Sequence, residues 1–261
     1  MTRMIDNQVK RALKAGRPTV GAWLQLCSPI AAEIMGDAGF DWLLVDMEHG
    51  HGDYQTLLAQ LQAMQASGAV PLVRVQWNDV AIIKRVLDLG AHGVMIPWVT
   101  GQAACEAAVR ACRYPPEGVR GVAGSHRAAG FGRFGPEYWA RANAEMLVVI
   151  QIETREALAD IDGVLAVPGV DVAFIGPADL SAALGHVGQP GHPEVIEAIA
   201  TIERAAKRAG VALGTISRSW EEARALYDRG YLMVTVASDA GLVTQHAGAL
   251  VRRFREEVGA P

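Results

Sequence analysis

Glu153, in the run VVIQIE, and Asp179, in AFIGPAD, lie 26 positions apart; each follows a stretch of β-branched apolar residues and precedes a helical segment. Two carboxylates that end neighbouring strands can converge on one hard cation, with substrate and water oxygens completing an octahedron. The alternative for either is a helix cap, since Asp179 opens DLSAALG and Glu153 precedes TREALAD. Other strand ends add to the case. Arg74, in PLVRVQ, has apolar neighbours, so its guanidinium needs an anionic partner. A keto oxygen becoming an enolate beside a metal is one such partner, and a salt bridge to Glu48 or another carboxylate is the other. His49 lies three residues after Asp46 in WLLVDMEH, close enough for the carboxylate to fix the imidazole tautomer and suit it as a general base. Trp23 with Gln25, Gln151, Ser217 and Ser238 complete the strand-end positions. At the junction Gly176-Pro177-Ala178-Asp179, the free amides of Ala178 and Asp179 open a helix, and such a start can hold a carboxylate.

Other chemistries find less support. Lys10, Lys14, Lys84 and Lys207 are the only lysines, all on helical segments, so a covalent imine route has no nucleophile at a strand end. His49-Gly50-His51 has the spacing of a zinc pair, but His92, His126, His186, His192 and His246 fall in helices or loops. No GxxxxGKS or GxSxG element is present.

The elements that must position these residues alternate regularly. Apolar strands are expected at 19–26, 40–47, 70–76, 93–99, 146–153, 170–177, 211–217 and 231–238. Their near-continuous apolar character marks strands buried on both faces, as in a parallel sheet. Between them, segments such as DVAIIKRVLDLG and SWEEARALYDRG carry apolar residues at helical spacing and end in glycine. Eight such units predict an α/β fold, a (β/α)8 TIM barrel forming a single domain over residues 1–261. A leading helix at about residues 5–15 is expected to cap one barrel end. The stretch from Tyr114 to Gly135, rich in glycine and arginine, breaks the rhythm. A loop this long either folds over the catalytic face or packs on a neighbouring subunit. Its Arg113, Arg120, Arg127 and Arg133 are either surface charges or attractors of a carboxylated substrate.

Composition narrows the partners. The chain has 261 residues, 51% of them apolar, and a net charge of -4, with its 24 basic residues scattered. Nothing in that pattern marks a nucleic-acid or anionic-membrane surface, and a small-molecule partner is expected. No apolar stretch approaches the roughly 20 residues needed to span a bilayer, so a cytoplasmic protein is expected. Cys27, Cys105 and Cys112 form no CxxC unit and read as structural thiols.

Taken in order, FDWLLVDMEH, VRVQWND, RYPPEGVRGV, VIQIETREAL and VAFIGPADLSAALG resemble the metal-dependent (class II) pyruvate aldolases of the hydroxyketoacid (4-hydroxy-2-oxoheptane-1,7-dioate) aldolase family, from about Gly21 to Phe254. The resemblance implies that Glu153 and Asp179 bind Mg2+, Mn2+ or Co2+, and that pyruvate chelates this metal. It implies further that Arg74 stabilises the enolate, that His49 paired with Asp46 relays the proton of the aldol hydroxyl, and that Gly176, Pro177, Ala178 and Asp179 hold the pyruvate carboxylate. Asp88 matches a position that reaches an adjoining subunit's site, which implies a homo-oligomer, a hexamer built from dimers. The expected reaction is reversible cleavage of a 4-hydroxy-2-oxo acid to pyruvate and an aldehyde, within aromatic or sugar-acid catabolism. Trp23, Ile216, the loop 114–135 and neighbouring chains would select the aldehyde. The alternatives are oxaloacetate decarboxylation through the same enolate and a catalytically silent binding barrel.

Overall fold

The computed structural model describes residues 4–259. Eight parallel strands, β1 (Thr19–Leu24), β2 (Trp42–Asp46), β3 (Val70–Arg74), β4 (Gly93–Ile96), β5 (Leu147–Ile152), β6 (Val172–Ile175), β7 (Ala212–Ile216) and β8 (Met233–Ser238), close into a barrel in chain order. Outside them run α1 (Gln8–Lys14), α2 (Pro29–Asp37), α3 (Tyr54–Ala63), α4 (Val80–Asp88), α5 (Gln102–Cys112) and α6 (Gly135–Glu145). The second half adds α7 (Arg155–Ala159), α8 (Ile161–Leu165), α9 (Pro177–Ala183), α10 (Pro193–Ala209), α11 (Trp220–Asp228) and α12 (Asp239–Glu257). The TIM-barrel expectation is met. Most strands are shorter than their apolar runs because the ends peel into turns: Gly176 already caps α9, and Trp98 turns left-handed at φ 55° two residues beyond β4.

Side-chain alternation sorts each strand into two faces. One set, including Trp23, Trp42, Leu44, Leu72, Val149 and Phe174, fills the barrel interior. The other packs outward against the helices. Both faces are therefore buried, as the uninterrupted apolar runs require. Space for the large inward rings comes from glycine: a Cβ on Gly21 would sit 2.1 Å from the Trp42 ring.

The barrel has a closed end and an open one. At the strands' N-terminal ends α1 seals the interior, with Val9 and Leu13 joining the inward cluster and Asn7 Nδ2 donating to the His92 carbonyl at 2.9 Å. Lys10 is buried, and its ammonium donates to the Met146 carbonyl and to Asp171 Oδ2, the latter at 2.9 Å. That pairing uses the lysine structurally, far from any reacting carbonyl. Replacing Lys10 by methionine leaves the half-buried Asp171 without its cation but with the Val148 amide still bonded, and should cost up to about 3 kcal/mol. A urea titration checks this; an unchanged midpoint would show that the end cap is held by apolar contacts alone.

The loop 114–135 departs from one of its two expectations. It leaves the end of α5 and leads through α6 to the start of β5, so both attachments lie at the closed end and it cannot cover this chain's own mouth. Instead it packs on the barrel's flank. Arg120 bonds Asp88 Oδ1 at 2.7 Å, while Arg127 donates to the carbonyls of Leu89 and Leu61, near the C-terminal ends of α4 and α3. Both guanidiniums are buried, so neither attracts substrate to this chain's mouth. Edge-to-face rings of Tyr114, Tyr138 and Trp139 anchor the segment. Cys105 and Cys112 are buried, and burial pushes both thiols up to about 12, as structural cysteines.

Candidate active site

The same alternation that fills the interior carries polar side chains to its open end. Asp46 lies two residues after Leu44, Arg74 two after Leu72, and Gln151 two after Val149, with Glu153 two further on. All four continue inward-facing columns, and the β2–β3 register sets Asp46 directly beside Arg74.

Arg74 is the hub. Its Nε and Nη2 donate to Asp46 Oδ1 and Oδ2 at 2.9 and 2.7 Å, a two-bond fork. Its Nη1 lies 2.9 Å from Glu48 Oε2 without a well-aligned hydrogen bond, and the guanidinium sits 4.2 Å over the Trp23 ring. Trp23 is fixed in turn by its indole N–H, which donates to Thr235 Oγ1 at 2.7 Å. Of the two expected partners of Arg74, the carboxylates are the ones seen: Asp46 and Glu48 hold the guanidinium.

Burial alone would raise the Asp46 carboxyl, but the hydrogen bonds and charge of Arg74 hold it below its ordinary value. Here the expected pairing with His49 needs correction. Asp46 Oδ1 accepts from the backbone amides of Glu48 and His49 at 3.1 and 3.3 Å, not from the imidazole. The carboxylate is claimed by Arg74 across the strand pair and by Gln25 Nε2 at 3.1 Å. The His49 side chain is 62% exposed, its Nε2 4.0 Å from Glu48 Oε2. Asp46 therefore shapes the turn that carries His49.

Opposite lies an acidic cluster. Glu153 is 2% exposed, and each of its oxygens accepts one hydrogen bond, Oε1 from the Trp98 amide at 3.0 Å and Oε2 from Gln151 Nε2 at 2.7 Å. Burial, opposed by the Trp98 hydrogen bond and reinforced by the charges of Asp179 and Glu48, pushes the Glu153 carboxyl up to about 7. Burial also raises Glu48. Gly176 makes room for the cluster, since a Cβ there would lie 2.7 Å from Glu153 Oε2. Asp179 occupies the first turn of α9, where Pro177 at the helix start leaves the amides of Ala178 and Asp179 as the free donors. The Glu153 carboxyl feels the charges of Asp179 and Glu48, and a divalent cation at this point would supply compensation and keep the carboxylates ionised.

The other sequence candidates divide. Ser217 Oγ donates to the Thr235 carbonyl and Ser238 caps α12, so both serve the backbone. Asp88 is the last residue of α4, at the closed end, and its bond to Arg120 is far from this chain's mouth; any substrate contact it makes belongs to another copy's site. Ile216, partly exposed, ends β7 at the open end. Sequence reasoning missed Trp98, whose indole N–H donates to Glu48 Oε1 at 3.2 Å, and Asp239, whose carboxylate receives the amides of Gln25 and Leu26. The strand-end position of IPWV was the available signal for Trp98.

Comparison with known proteins finds relatives along nearly the whole chain. The HpcH/HpaI aldolase/citrate lyase family pattern matches residues 19–246. A 4-hydroxy-2-oxo-heptane-1,7-dioate aldolase of Klebsiella pneumoniae is 46% identical over 251 residues, 96% of this chain and 94% of that protein. The Escherichia coli protein of the same name is 44% identical over 257 residues, 98% of each chain. Among solved structures, an HpcH/HpaI aldolase/citrate lyase family protein from Burkholderia cenocepacia superposes with a TM-score of 0.92 at 38% identity, covering 96% of this chain and all of that one.

Proposed function

The chain belongs to the HpcH/HpaI aldolase/citrate lyase family and is a carbon-carbon lyase that cleaves to pyruvate and an aldehyde; we propose that its substrates are 4-hydroxy-2-oxo acids, bound at the mouth described above with Glu153 and Asp179 holding a divalent cation. The observation that carries this reading is the buried Glu153 carboxyl, crowded by Asp179 and Glu48 beside a fixed guanidinium. Mg2+, Mn2+ or Co2+ held there would polarise the 2-keto group and offset the charge of the pyruvate enolate.

The chain's own groups do the rest. Trp98 and Gln151 orient Glu153, each occupying one lone pair per oxygen and leaving another free. Arg74, locked by Asp46, directs its remaining N–H donors at the developing enolate oxygen. The first amides of α9 receive the substrate carboxylate, where Gly176 lets the ligand approach. His49 takes the C4 hydroxyl proton as the C3–C4 bond breaks, its exposure lets it return that proton to water, and C3 of the enolate gains one proton from water to give pyruvate.

Chelator-stripped protein given a panel of 4-hydroxy-2-oxo acids should release pyruvate only after Mn2+ or Mg2+ is restored. Metal-independent cleavage would overturn the proposal, and turnover of oxaloacetate alone would reassign the mouth to a decarboxylase. We also infer a homo-oligomer, a hexamer as the resemblance implies. Its support is α12, in which only Asp239 is buried while Val243, Leu250 and Phe254 are exposed.

A further inference from the structure

We propose that Trp77 and Trp98 form an aromatic shelf that receives the aldehyde half of the substrate, and that this enzyme favours 4-hydroxy-2-oxo acids whose C4 carries a flat, uncharged ring. The proposal rests on the reading of the mouth as a keto-acid site. The two indoles stack with centroids 5.9 Å apart and planes 25° apart. They come from adjacent strand ends: Trp77 follows β3 and Trp98 follows β4, both at the open end.

Trp98 is built into the site at two points. Its backbone amide donates to Glu153 Oε1 at 3.0 Å, and its indole N–H reaches back across β3 to Glu48 Oε1 at 3.2 Å. The ring is thereby held against the Glu48 carboxylate that contacts Arg74. Its φ of 55° is a strained conformation for so bulky a residue, of a kind kept where function demands it. Despite these attachments Trp98 remains 42% exposed and Trp77 53%. Two stacked indoles left open to water at a substrate mouth offer a ready-made face for a third ring.

Charge sets the second half of the argument. With a cation compensating Glu153, the acid bonded to the Trp98 indole is Glu48, and the nearby guanidinium of Arg74 is shared between Glu48, Asp46 and the keto-acid half of the substrate. A substrate whose far end bears a second carboxylate, as in the name of the curated relatives, would bring that charge toward Glu48. An uncharged ring meets no such repulsion and stacks on Trp77.

The test uses the metal-loaded full-length protein run in the synthetic direction, adding pyruvate to benzaldehyde, acetaldehyde or succinic semialdehyde. Exchange of the pyruvate methyl protons with D2O, without aldehyde, is followed in parallel on the wild type. The expected wild-type result is a kcat/KM for benzaldehyde at least tenfold above that for succinic semialdehyde. In Trp77→Leu and in Trp98→Leu, the benzaldehyde-to-acetaldehyde ratio of kcat/KM should fall about tenfold. The ratio cancels any loss common to both aldehydes, including one from disturbing Glu153. Preference for succinic semialdehyde, or an aldehyde ratio unmoved in both variants, overturns the shelf while leaving the aldolase reading standing if methyl-proton exchange is present. Absence of exchange in the wild type overturns both.

Discussion

Replacing Glu153 by glutamine should make the metal-stripped protein more stable at pH 8 while abolishing metal-restored cleavage. The two effects share one cause. In the folded protein the Glu153 carboxyl is pushed up to about 7 from an ordinary value of 4.5, so between those limits the folded state binds a proton that the unfolded chain has released. The associated stability is complete below the unfolded value and is lost as pH rises through the folded one. Metal-free wild type should therefore weaken between about pH 5 and 8, by on the order of 3 kcal/mol. The glutamine variant removes the ionisation and flattens that slope. Its amide fits the pocket, because Gln151 Oε1 is buried without a partner, and a flip of the Gln151 amide lets it accept from the new NH2. The side chain's loss as a ligand should lower turnover by about 10^3-fold or more. Thermal unfolding with chelator at pH 5 and 8, repeated with Mn2+, reads all of this. Mn2+ should raise the wild-type midpoint at pH 8 and leave the variant's unmoved. A variant less stable than wild type at pH 8 without metal would overturn the raised Glu153 carboxyl, and one that responds to Mn2+ as wild type does would remove Glu153 from the cation site.

Arg74→Lys is the second large effect, with kcat expected to fall about 10^2–10^3-fold and KM to change much less. Charge is conserved in this variant; geometry is not. The guanidinium forks onto Asp46, contacts Glu48 with its other terminal nitrogen and lies flat on Trp23, an arrangement that an ammonium on a shorter reach cannot reproduce. The lysine variant should stay folded, since Asp46 retains a cation, and near-ultraviolet circular dichroism checks that. Wild-type turnover in a folded variant would mean that Arg74 is a strut for Asp46 and Glu48 and does not act on the enolate.

The barrel was legible because burial on both faces writes itself into a sequence as uninterrupted apolar runs, and eight of them alternate with helical segments. The positions of Asp46, Arg74, Gln151 and Glu153 followed from the same logic, since each extends an inward column past the last apolar residue. Competition between partners was not legible. Spacing along the chain offered His49 to Asp46, whereas strand register, which no local spacing encodes, placed Arg74 there. Nor could the loop 114–135 be placed, for it has no period, and its buried Arg120 and Arg127 take their partners from residues distant in sequence. Trp98 escaped notice because its left-handed backbone leaves no mark in the residue type.

The seal made by α1 reaches further than stability. Val9 and Leu13 close a column of apolar side chains that ends at Trp23, on which Arg74 rests. Below the mouth there is thus hydrocarbon in place of solvent, and the local permittivity is low from that direction. Coulomb energies scale inversely with permittivity, so a pair worth about 4 kcal/mol at an effective value near 20 falls to about 1 in bulk water. Water admitted at the far end of the barrel would then weaken the field acting on Arg74, Asp46 and Glu153 with none of them altered, which makes the first helix of the chain part of the catalyst's insulation.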